Sequence, residues 1–124
     1  MKYALAAGLL FAAAPVQATQ GLLCRSTSDE GPRLSLVIGA GGIAGASLDE
    51  NGSWVSTMDP GATLRLAQAW VDREQVLADV VNEAWDRVAR LRARFEPPVR
   101  GDPVTASGTL TLRGRDWRVR CAED

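Results

Sequence analysis

Histidine is absent from this chain. The side chain that most often serves as general base or metal ligand near neutral pH is therefore missing. Lysine occurs once, at Lys2, in a leader that the reading below removes, so serine–lysine catalysis has no base. Cysteine occurs only at Cys24 and Cys121, with no C-x-x-C spacing, which argues against a reactive thiol pair. No apolar run reaches the roughly 20 residues that a membrane-crossing helix needs. Glycine and proline are missing from Ala62 to Glu96, the longest stretch without a strong turn signal.

What is present begins with an export signal. Lys2 precedes the apolar run Ala4–Ala14, Pro15 breaks it, and Val16-Gln17-Ala18 offers small residues for cleavage. This pattern reads as a signal peptide over residues 1–18. Residues 19–124 are then expected to form a single disulfide-closed β domain in the periplasm or outside the cell. Leu23 directly before Cys24 does not suit a lipid-attachment site. In an oxidising compartment, Cys24 and Cys121 are expected to pair. After removal of the leader, 13 arginines stand against 15 acids. Bulk charge thus favours neither nucleic acid nor a membrane surface.

Period-two alternation dominates both ends of the chain. Leu22–Ser26 reads as a first strand and Arg33–Ile38 as a second, with a turn at Ser28–Pro32 between them. Asn51-Gly52, a strong hairpin signal, joins a strand near Ile43–Leu48 to Ser53–Met58. At the C-terminal end, Leu110 and Leu112 alternate with threonines. Trp117, Val119 and Cys121 alternate with arginines beyond a turn at Arg113–Asp116. Thr105–Cys121 is therefore a closing hairpin, tied by its last residue to the first strand.

The segment 62–96 fits two templates. As a helix over about 82–95, Asn82 would cap a stripe of Ala84, Val88, Leu91 and Phe95. As strands, Val76–Val81 is a short apolar run, and Ala89, Leu91, Ala93 and Phe95 alternate with Arg90, Arg92 and Arg94. Leu64, Leu66 and Trp70 would share one face. The all-β template is preferred because strands flank the segment on both sides. The expected fold is a small antiparallel β-meander, with closure into a barrel as its fullest form. The alternative is α+β, with the 82–95 helix packed on an antiparallel sheet. The layout resembles that of small periplasmic inhibitor and lipocalin-like proteins, without a motif specific to either.

Few residues invite a chemical role. Gly39–Ala44 matches G-x-G-x-x-A after a strand, with Asp59 downstream, the outline of a dinucleotide fingerprint. The hairpin at Asn51-Gly52 follows too soon for a crossover helix, so the segment reads as a glycine-rich bend or bulge. Asp29-Glu30 and Asp49-Glu50-Asn51 lack the spacing of a calcium loop and read as solvated turns. No carboxylate pair stands out for glycoside hydrolysis. No cofactor, metal or catalytic residue is assigned, and an enzyme is the least favoured class. Trp54, Trp70, Trp85 and Trp117 are expected in the core, with an aromatic-lined ligand pocket as the sharper reading. On the β template, Arg90, Arg92, Arg94, Arg118 and Arg120 share one outer face, able to fork onto phosphate or carboxylate. The expected function is an exported binding module that contacts an anionic ligand or a protein through this face. The alternative is a lipocalin-like carrier of an apolar ligand inside the barrel.

Overall fold

The computed structural model describes residues 20–124; the signal-peptide segment lies outside them. Nine strands form one antiparallel sheet without a helix: β1 Gln20–Ser26, β2 Arg33–Gly39, β3 Gly42–Glu50, β4 Ser53–Ser56, β5 Arg65–Val71, β6 Gln75–Val81, β7 Arg87–Phe95, β8 Thr105–Leu112 and β9 Arg115–Glu123. Their order across the sheet is β4-β3-β2-β1-β9-β8-β7-β6-β5. Two meanders, β1–β4 and β5–β9, therefore meet where the first strand pairs with the last. The sheet curls into a half-barrel. Its edges, β4 and β5, do not pair with each other, although β5 packs against β3.

Turn chemistry sets the hairpins. Asn51 and Gly52 both have positive φ (58° and 85°), as do Arg113 and Gly114 (49° and 87°). Two left-handed residues give the primed turn whose twist matches the strands on either side. The glycine-rich segment closes β2 onto β3 through Ala40-Gly41, and the register slips where Val37 faces Gly45 but Ile38 faces Ile43. This is the bulge expected from that stretch.

The inner face is leucine, valine and alanine. Leu22, Cys24, Leu34, Leu36, Val76, Ala78, Leu91, Leu110 and Val119 are buried there in one cluster. Cys24 and Cys121 face each other directly in the β1–β9 register, with Cα atoms 3.9 Å apart, and are joined as a disulfide spanning 97 residues. The curl also brings Arg113, in the β8–β9 turn, to Glu50 at the end of β3. Its Nε and Nη2 donate to the two carboxylate oxygens at 3.1 and 3.0 Å, across a mouth that β1 and β2 separate within the sheet. Glu50 raises the Arg113 pKa, first by its hydrogen bond and then by its charge.

The helix alternative for 82–95 is excluded. Asn82 does cap backbone amides, but in a turn: its Oδ1 accepts from Ala84 N and Asp86 N, each at 2.9 Å. β7 starts beyond it, at Arg87. The tryptophan expectation is also corrected. Trp54, Trp70 and Trp85 are 44%, 56% and 63% exposed, and Trp117 is half-buried at one end of the inner face. For Trp70 the cause is a bulge. Leu66 faces Val80, yet Gln68 faces Asp79, so one extra residue reverses the alternation of β5 and sends Trp70 outward.

Candidate functional site: an arginine-rich outer face

Alternation on β7 buries Ala89, Leu91 and Ala93 and turns Arg90, Arg92 and Arg94 outward. β8 presents Ser107, Thr109 and Thr111 on the same side, and β9 presents Arg118 and Arg120. The registers align them in rows. Arg92, Thr109 and Arg118 lie opposite one another, as do Arg94, Ser107 and Arg120. With strands about 4.8 Å apart, the β7 and β9 arginines in each row are separated by roughly 10 Å at the backbone. The third row differs: Arg90 faces Thr111, which faces Asp116, and the Thr111 hydroxyl donates to Asp116 Oδ1 at 2.7 Å.

The second row extends further. Arg120 faces Arg25 on β1, and Arg25 faces Arg33 on β2. Three arginines thus stand side by side on adjacent strands. Arg25 and Arg33 were not among the residues expected from the sequence, although a signal for Arg25 was present. Once Cys24 opposes Cys121, antiparallel pairing places the next residue, Arg25, opposite Arg120. Since Thr27 N donates to Arg118 O and Asp124 N to Gly21 O, the cysteines occupy a non-hydrogen-bonded pair and the two arginines a hydrogen-bonded one. The disulfide on the inner face is therefore in the same register that brings two positive charges together on the outer face.

These arginines differ in their partners. Arg33 Nε donates to Asp49 Oδ2 at 2.8 Å, and its guanidinium lies 5.1 Å from the Trp54 ring centre. Arg92 Nη1 donates to Asp79 Oδ1 at 2.9 Å. Asp49 and Asp79 are both buried under these contacts. Arg90 is half-buried, and its Nε has no hydrogen-bond partner. Among the described residues, Arg25, Arg94, Arg118 and Arg120 form no ion pair, and all four are exposed. Like charges directly opposite one another destabilise a sheet. Here they persist without a carboxylate between them.

Arg25 and Arg120 line a cleft of about 420 Å³ together with Leu23, Thr105, Ala122 and two acids, Glu123 and Asp124. Arg25 and Arg33 also border a second cleft, of about 440 Å³, that includes Asp29, Glu30 and Asp49. The arginine rows thus run from β7 to β1, bordered by Asp116, Glu123 and Asp124 on the β9 side, and acids enter again at β2. Chemically it is a row of guanidinium forks interleaved with hydroxyls, a set that donates hydrogen bonds to oxyanions. No group of three or more metal-ligating side chains converges among the described residues. Comparison of the chain with protein-family models, curated proteins and solved structures finds no match.

Proposed function

We propose that the protein is an exported binding module whose outer face engages an anionic partner. The observation that carries this reading is the Arg25–Arg120 pair. These arginines are opposite, exposed and without an acid between them, and Arg118, also exposed and without an ion pair, stands near. A bound oxyanion would bridge the two guanidinium groups and relieve their repulsion. The carrier reading has less support, because Leu34, Leu36, Leu91 and Leu110 fill the inner face as fully buried side chains.

Retention on a heparin column tests the proposal. The chain carries a net negative charge, so retention requires the local patch. The wild type is expected to bind at low salt and to elute as salt rises, because the Debye length falls from about 10 Å at 0.1 M to about 3 Å at 1 M. The double variant Arg25→Gln/Arg120→Gln should flow through. It should also melt slightly higher, by about 0.2–1 kcal/mol of relieved cross-strand repulsion. Absence of wild-type retention at low salt sinks the idea. So does a double variant retained as strongly as the wild type.

A further inference from the structure

The β7–β8 connection stands apart from the other hairpin loops. β2–β3, β3–β4 and β8–β9 turn in two residues, whereas Glu96–Val104 takes nine. That exceeds the two to five residues usual for a hairpin. It contains Pro97, Pro98 and Pro103, half of the six prolines in the chain. Rings that fix φ make this loop stiff rather than merely long. It also exposes two large apolar side chains, Val99 and Val104, at 62% and 45%. A stiff loop that keeps valines in water is preorganised for an apolar ligand, because little ordering remains to oppose binding.

Between this loop and the β5–β6 turn lies a cleft of about 600 Å³. Its walls include Phe95, Pro97, Val99, Pro103 and Val104. This volume falls in the usual range for small-molecule sites, about 300–1,000 Å³, and such sites are mostly apolar with a few placed polar groups. Here the ionisable lining is three acids, Asp72, Glu96 and Asp102, against one arginine, Arg73. Asp72 is committed to the turn. Its Oδ2 accepts from the Trp70 indole at 2.9 Å and its Oδ1 from Glu74 N and Gln75 N at 2.7 and 2.9 Å. Those bonds, the indole first, and last the charge of Arg94, hold its pKa below the ordinary value. Glu96 uses one oxygen to accept from the Thr105 hydroxyl at 2.6 Å, which leaves the other open. Among the described residues, the Asp102 side chain forms no ion pair.

We infer that this cleft is a second binding site, which adjoins the Arg25–Arg120 cleft at Thr105, for a small apolar cation of the alkylammonium class. The hydrocarbon lies against the valines and prolines, and the ammonium sits between Glu96 and Asp102. The arginine face and this cleft therefore select ligands of opposite charge.

The test uses ¹⁵N-labelled full-length protein titrated with three probes of equal chain length: octyltrimethylammonium, octanol and octanoate, each below its micelle-forming concentration. The cation should shift the amides of Asp72, Arg73, Glu96, Val99, Asp102 and Val104. It should bind roughly fivefold more tightly than octanol, as one or two partly exposed ion pairs allow, and octanoate should bind more weakly than octanol. Glu96→Gln/Asp102→Asn should bring the cation to the affinity of octanol; Gln keeps an acceptor for Thr105. High salt should do the same to the wild type, a check that needs no variant. A cation no tighter than octanol overturns the inference. So do shifts centred on the arginine face, and so does the absence of binding by any probe.

Discussion

Asp49 shows how closely charge is managed on the outer face. Its side chain is buried beneath Arg33 and Trp54, yet only Oδ2 has a hydrogen-bond partner. A covered carboxylate is tolerable while a guanidinium sits on it and expensive once that partner is gone. Arg33→Ala should therefore cost about 1–3 kcal/mol in urea melts, at the lower end because the Arg33 side chain is 39% exposed and partly screened. Adding Asp49→Asn should restore part of the loss. If Arg33→Ala melts like the wild type, Asp49 is reached by water and the cover is ornamental. Arg25→Gln, one strand away, is expected to act in the opposite direction. The contrast separates arginines that serve the fold from arginines left over for a partner.

Among the elements, β7 and β8 hold the face together, and Gly108 lies against the β7 backbone opposite Ala93. A Cβ built there would lie 2.0 Å from Arg92 O and 2.6 Å from Ala93 Cα. Both are backbone atoms, so no side chain can swing aside. Gly108→Ala should push β8 off β7 at about 1–3 kcal/mol, the usual cost of overpacking, and weaken heparin retention by displacing the Arg92–Thr109–Arg118 row. An unchanged melt would mean that the strands are less tightly apposed. Much of this region was legible in sequence. The alternation from Ala89 to Phe95 gave the strand and its outward arginines, and the Asn-Gly and Arg-Gly turns gave two hairpins. Apart from the glycine-marked bulge between β2 and β3, bulges were not legible. One extra residue near Ala67 reversed the face of Trp70. Another, at Val88 between Arg87 and Ala89, let Val88 be buried beside Ala89. That second bulge buries Val88 three residues before Leu91, as the helical stripe had it, whereas Ala84, the first residue of that stripe, is exposed. A bulge without glycine carries no residue signature of its own, so period counting fails at the residues where it occurs. Asn82 was informative in chemistry and misleading in element, since an asparagine that caps free amides does so at turns as well as at helix starts.

At the scale of the molecule, the chain begins and ends its described course in the middle of the sheet. Among the described residues, β1–β9 is the strand pairing that joins the two meanders, the Arg113–Glu50 bridge adds a side-chain link, and the 57–64 segment is the backbone route from one to the other. The Cys24–Cys121 bond crosses that junction and closes a loop of 97 residues. By chain entropy such a loop is worth about 4–5 kcal/mol, against a typical total of about 5–15 kcal/mol for a domain. Cys24→Ala/Cys121→Ala should therefore lower stability by about 2–5 kcal/mol. When the junction parts, β1 and β9 become new open edges, and open edges recruit other chains. The double variant should accordingly aggregate on warming, with a dependence on protein concentration that the oxidised protein lacks. Where the variant remains folded, the β1–β9 hydrogen bonds still place Arg25 opposite Arg120, so heparin retention in the cold should survive while the urea midpoint falls. Retention lost together with the midpoint would mean that the covalent bond itself holds the arginine register. An unchanged midpoint would mean that the two meanders hold each other without it.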